Sequence, residues 1–152
     1  QTFMENQFNR GILYYNYRGW YGGYGSYPTN SIDNGFDTPF VTTLTCGTGD
    51  YNGTSPSEEF VRLGSVNNPK GAVAAVGMAT IGTHTAYNNI VNMGIYDGIF
   101  SKKLWYAGAV EAQGDIAIAS TYSNPSSAED AAEAFSKWSN LIGDPALHRV
   151  KL

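Results

Sequence analysis

The stretch Phe40–Tyr51 reads FVTTLTCGTGDY. It opens on apolar and β-branched residues that suit a pleated strand and closes on Gly47 and Gly49, which suit a tight turn. Cys46, the single cysteine of the chain, stands where the strand gives way to the turn. Two further runs read as strands, GILYYNY over Gly11–Tyr17 and AVAAVGM over Ala72–Met78. The last is apolar on both faces, the pattern of a central strand in a sheet covered on both sides.

Helical segments lie between and after these strands. Ser55-Pro56-Ser57-Glu58 is a helix start, with a Ser cap, Pro at the first position and Glu at the third. Phe60, Val61 and Leu63 give that helix an apolar side, and Gly64 is placed to end it. Tyr87, Ile90, Val91 and Ile95 recur at helical spacing and predict a helix over about Thr85 to Phe100. Ala131, Ala134, Phe135, Trp138, Leu141 and Ile142 form one stripe and predict a helix from Ser127 to Ile142, stopped by Gly143 and Pro145. The Ala-Glu side of that helix reads as an ordinary solvated face. Lys103 to Ser120 is ambiguous: its alanines suit a helix, whereas Ile116 to Tyr122 also suits extended chain. Tyr21 to Pro39 reads as a long loop, and a loop of that length is uncommon unless functional. The order β, β, α, β, α, (α), α implies an α/β fold with parallel crossovers.

Composition narrows the function classes. The 152 residues amount to one domain or part of one, with 42% hydrophobic residues, 14% charged residues and a net charge of −4. The nine Lys and Arg are scattered apart from Lys102-Lys103, so nucleic-acid binding has little electrostatic support. No apolar run approaches the roughly 18 residues of a membrane span. One cysteine excludes a disulfide within the chain. The low charge and eleven Tyr suit a secreted or cell-surface bacterial protein, and the start at Gln1 suggests a processed or excised piece. Asn52-Gly53-Thr54 fits a glycosylation sequon.

In open α/β sheets, ligands bind beyond the carboxyl ends of the strands. Trp20, Cys46 and the run Gly82-Thr83-His84 each follow a strand, so all three loops are expected at one sheet edge. A thiol there lies near backbone N–H groups able to stabilise a thiolate or hold an oxyanion.

Four pieces in order resemble the C-terminal part of the catalytic domain of gingipain-type cysteine peptidases. Asn16-Tyr17-Arg18-Gly19-Trp20 resembles the family's strand end, Asn-Tyr-x-Gly/Ala-His. Cys46-Gly47-Thr48-Gly49-Asp50-Tyr51 resembles its nucleophile turn, Cys-x-x-Gly-Asp-Phe. Pro69-Lys70-Gly71-Ala72-Val73-Ala74 through Thr80 resembles the next strand, whose following loop borders the substrate pocket. Trp138 through Ile142 and then Gly143-Asp144-Pro145 resembles the domain's Trp-x-x-x-x-Gly-Asp-Pro end. The resemblance covers most of the chain. It implies a caspase-like three-layer α/β/α fold with a mostly parallel sheet, incomplete in this chain, whose earlier strands lie elsewhere.

The resemblance also implies a mechanism. The family's Cys attacks the scissile carbonyl, and its strand-end His serves as general base and then protonates the leaving amine. Carried over, Cys46 takes the nucleophile position, and backbone N–H groups near Tyr21, Cys46 and Gly47 form the oxyanion hole. The position of the base holds Trp20, which has no acid–base chemistry and reads as a pocket wall or packing residue beside Thr83. Of the two histidines, His148 reads as a surface residue and His84 as the substitute base, with Thr83 and Thr85 orienting its ring. Asp50 and Asp144 read as turn residues that bond nearby backbone N–H groups.

The aromatic loop of Tyr21, Tyr24 and Tyr27 reads either as a substrate rim or as an interface to the rest of the parent protein. No cofactor is expected. Structural calcium at Asp33 and Asp37 is implied only by the resemblance. Two functions stay open. One is a secreted cysteine endopeptidase using Cys46 with a non-standard base. The other is a peptidase-like scaffold for binding or extracellular assembly, as a homo-oligomer or with the remainder of the parent protein.

Overall fold

The computed structural model of the chain describes residues 2–122 and 127–148, without the side chains of residues 127–132. Its elements run α1 (Thr2–Asn9), β1 (Tyr14–Tyr17), β2 (Phe40–Thr43), α2 (Pro56–Arg62), β3 (Ala74–Met78), α3 (Thr85–Phe100), α4 (Ala107–Thr121), α5 (Ser127–Trp138) and β4 (Ser139–Ile142). The strands form one sheet in the order β1-β2-β3-β4. β1 and β2 pair in parallel from Tyr14↔Phe40 to Tyr17↔Thr43, and β2 pairs in parallel with β3 from Phe40↔Ala74. β4 runs antiparallel to β3, with Ala75 opposite Ile142 and Met78 opposite Ser139.

The sheet is covered on both faces, which makes three layers. Leu44, Val76 and Met78 pack against Val91, Ile95 and Ile99 of α3, Val110 and Ile118 of α4, and Phe135 of α5. On the opposite face Val41 and Ala75 pack with Met4 and Phe8 of α1, Phe60 of α2 and Ile32 of the long loop. Every residue of β2 and β3 is buried, so these two strands carry no alternation of apolar and polar positions. Two hydroxyls in the buried strand β2 find partners: Thr42 meets Asn16 Oδ1 and the Tyr96 hydroxyl at 3.0 Å each, and Thr43 meets Ser57 at 2.6 Å. α3 and α4 pack through their glycines, since a Cβ on Gly94 would lie 2.5 Å from Ala117 Cβ.

Several local expectations hold. Ser55 caps α2 by accepting the Glu58 N–H, and Pro56 opens the helix. α3 has the expected limits. The ambiguous segment is helix α4, so Ile116 to Tyr122 is not extended chain.

The helix expected over Ser127 to Ile142 is corrected: it ends at Trp138, and Ser139–Ile142 forms β4. The apolar stripe continues at near-helical spacing through Leu141 and Ile142. The outer edge of β3, however, offers backbone hydrogen bonds that only an extended partner can take. Ala131 of that stripe lies outside the side chains described. The sheet is mostly parallel, as expected, and among the described residues β4 is its antiparallel strand. α1 carries only Met4 and Phe8 as buried residues, a pattern too short to stand out in the sequence.

Candidate functional site

β2 ends in a turn held by Thr48. The Thr48 hydroxyl shares its proton between the carbonyls of Thr43 and Thr45 and accepts the Met78 N–H at 3.3 Å. The turn also bonds to the end of β3, Gly47 N–H to the Thr80 carbonyl at 2.8 Å and Gly49 N–H to that of Met78 at 2.9 Å. Gly47 sits at φ +67°, and Gly49 lies directly on the β3 backbone, where a Cβ would be 2.6 Å from the Gly77 carbonyl carbon. From β4, Asn140 donates to the Gly49 carbonyl at 2.9 Å. Asp50 accepts the Asn52 N–H at 2.9 Å within its own turn, and Asp144 accepts that of Ala146 at 2.8 Å. Cys46 thus projects, half-buried, from a rigid turn between β1 and β3.

The tip after β1 is tied to the same turn. Thr45 Oγ1 donates to the Gly19 carbonyl at 2.8 Å, and the Tyr17 hydroxyl and the Gly23 N–H both reach the Trp20 carbonyl at 2.9 Å. These bonds fix the Trp20 backbone while its indole stands 86% exposed. Arg18 reaches inward: Nη1 donates to the Leu44 carbonyl, Nε to Asn89 Oδ1 at 2.9 Å and Nη2 to the Thr85 carbonyl at 3.4 Å. Burial pushes its guanidinium pKa down, and its electrostatic interaction with Cys46 opposes that shift.

The third side comes from the β3–α3 loop. Asn88 Nδ2 donates to Thr83 Oγ1 at 3.0 Å, and Thr83 Oγ1 donates to Cys46 Sγ at 3.1 Å. The two bonds form a directed chain onto sulfur, and Cys46 Sγ donates in turn to the Thr83 carbonyl at 3.9 Å. His84 turns elsewhere. It is the N-cap of α3, its Nδ1 accepts the Ala86 N–H at 3.2 Å, and its ring packs on Tyr87 at 5.4 Å. This hydrogen bond assigns the lone pair to Nδ1 and the neutral ring's proton to Nε2. The result is a cleft of about 350 Å³ lined by Arg18, Trp20, Cys46, Thr83 and Asn88 among others, and His84 is not part of its lining.

The chain matches the family model of peptidase family C25 over residues 2–149. The chain belongs to peptidase family C25. Its fold is that of the Arg-specific cysteine proteinase gingipain R, with a TM-score of 0.80 and 21% identity over 97% of this chain and 36% of that one. The complex of the RgpB pro- and mature domains from Porphyromonas gingivalis gives a TM-score of 0.78 and 23% identity over 96% and 36% of the two chains. A further solved protease gives 0.74 and 15% over 95% and 37%. The C25 chain therefore spans little more than a third of these structures, with which it shares a caspase-like α/β/α fold. A comparison with curated proteins gave no match.

Within this C25 fold, Trp20, Cys46 and Thr83 meet at one edge. Tyr21 packs on Gly47 from the far side of the turn, and its ring meets Tyr27 at 6.1 Å. The Gly47 N–H, expected in the oxyanion hole, donates to the Thr80 carbonyl at 2.8 Å. His84, expected as the substitute base, uses its Nδ1 at the start of α3. His148 is exposed and meets Tyr106 edge-on at 5.3 Å. Among the described residues no three His, Cys, Asp or Glu side chains cluster in a way that could hold a metal ion. No helix among the described residues is long and apolar enough to cross a membrane.

The sequence reading missed the roles of Arg18 and Asn88. Arg18 carried a signal, a cation at a strand end in a chain with few charges. Asn88 carried none beyond its place in the first turn of α3.

Proposed function

We propose that this chain provides a peptidase-fold cleft that binds polypeptide and does not cleave it through a Cys–His dyad. The observation that carries this reading is the exposed Trp20 at the tip where the resemblance calls for the base. The tip backbone is fixed by Tyr17, Gly23 and Thr45, so no small shift exchanges the indole for an imidazole. His84 supports the reading, since its lone pair already accepts the Ala86 N–H. The indole offers an amphipathic wall, and the hydroxyl and amide groups opposite it offer hydrogen bonds to a peptide backbone. In this reading the protein acts outside the bacterial cell, secreted or at its surface, with a polypeptide or the remaining part of its parent protein as partner.

The test is peptide hydrolysis by the intact protein beside its Trp20→His and Cys46→Ala variants. The native protein should leave mixed fluorogenic peptides uncut, and Trp20→His should accelerate iodoacetamide labelling of Cys46 at pH 7. Hydrolysis by the native protein that disappears in Cys46→Ala would overturn the proposal.

A second reading is an endopeptidase in which Cys46 attacks and His84 serves as base. The Thr83 hydrogen bond to sulfur favours it, because such a donor stabilises a thiolate. Under that reading His84→Ala abolishes hydrolysis.

A further inference from the structure

Arg18 is the one charged residue among those that line the Cys46 cleft. Its hydrogen bonds go to the Leu44 and Thr85 carbonyls and to the Asn89 side-chain oxygen, all neutral. Among the described residues no carboxylate lies within ion-pairing distance of it. A guanidinium carries five N–H donors in a planar fork, so these three bonds fix its orientation and leave donors over. A half-buried cation with no carboxylate partner carries a desolvation cost that an incoming carboxylate relieves. Trp20, exposed at the rim of the same cleft, supplies an apolar face for the methylene stem beside that anion.

We propose that the Cys46 cleft is selective for acidic polypeptide segments, with Arg18 receiving the carboxylate of an Asp or Glu side chain and Trp20 covering its stem. This deepens the polypeptide-binding reading and rests on it. The chain's net charge of −4 works against acidic ligands at long range, so a preference for them must arise locally. Thr85 and Asn89, which hold the guanidinium, also line the cleft and set its distance from Cys46.

The single cysteine makes the test direct. Cys46 of the intact protein is alkylated at pH 7 with iodoacetate and with iodoacetamide, and the rate ratio is compared with that of N-acetylcysteine. The protein's iodoacetate-to-iodoacetamide ratio should exceed the reference by about tenfold, ~1.4 kcal/mol, and Arg18→Met should return it to the reference. A second measurement needs no variant. A glutamate-centred hexapeptide should protect Cys46 of the native protein from alkylation at a concentration about tenfold below its glutamine counterpart.

Equal protection by the two peptides, or a ratio unchanged in Arg18→Met, overturns acidic selectivity. Loss of protection by both peptides with the iodoacetate preference intact overturns the polypeptide-binding reading and leaves the anion site standing.

Discussion

Gly49→Ala tests how the nucleophile turn is seated on the sheet. A Cβ at Gly49 would stand 2.6 Å from the Gly77 carbonyl carbon and 2.7 Å from its oxygen, where ordinary contact begins at 3.4 Å. The overlap with the carbon is 3.4 − 2.6 = 0.8 Å, and both sides are backbone, so no side chain can rotate away. The turn must lift from β3. That stretches the Gly49 N–H bond to the Met78 carbonyl from 2.9 Å and strains the neighbouring Gly47 bond to Thr80. Overpacking costs about 1–3 kcal/mol, and one weakened hydrogen bond adds roughly 1 kcal/mol. The expected loss is about 2–4 kcal/mol, measured as the shift of a urea unfolding curve of the intact protein with its slope checked for constancy. Gly82→Ala is the control, because its Cβ would meet only Thr80 Oγ1 at 3.7 Å; it should stay within roughly 0.5 kcal/mol of the native protein. If Gly49→Ala also falls within that range, the close seating of the turn on Gly77 is refuted.

Two further predictions concern ionisation. Asp115 on α4 has its carboxyl pushed up to about 8, by burial first and then by the charge and hydrogen bond of Glu111. The folded protein therefore keeps a proton that the unfolded chain releases near pH ~4, so this group's contribution is full below that pH and is lost as pH rises toward about 8. Asp115→Asn should accordingly gain on the order of 1 kcal/mol over the native protein between pH 4 and 8, a figure reduced for partial solvent screening; paired thermal melts at the two pH values would show no difference if the carboxyl ionises normally. Thr83→Val removes the hydroxyl that donates to Cys46 Sγ. Iodoacetamide labelling at pH 7 should slow about tenfold, since a hydrogen bond to a charged acceptor is worth roughly 1.5–3 kcal/mol, and an unchanged rate would show that the hydroxyl does not support the thiolate.

Much of the scaffold was legible because it rests on local signals. Ser55-Pro56 marked a helix start whose cap geometry depends on adjacent residues alone. The apolar run at Ala74–Met78 could be satisfied only inside a covered sheet. β4 was not legible, since Leu141 and Ile142 fit a helical stripe and only the edge of β3 made them extended. The candidate site divides in the same way. Cys46, Trp20 and Thr83 follow strand ends, so topology alone placed them together. The roles of Arg18 and Asn88 depend on side chains crossing between elements, as in the reach of Arg18 to Asn89, 71 residues away.

The sequence by itself determined an α/β chain with a glycine turn after its second strand, a lone thiol at that turn and no imidazole at the tip beside it. These follow from residue type and near-neighbour spacing, which act before the chain has closed on itself. Only the tertiary structure decided that the last apolar residues become a strand, that His84 turns its lone pair to the start of α3, and that the Gly47 N–H is used by the Thr80 carbonyl just after β3. Each of these is a competition for a hydrogen-bonding group, and its outcome depends on partners that folding alone brings within reach.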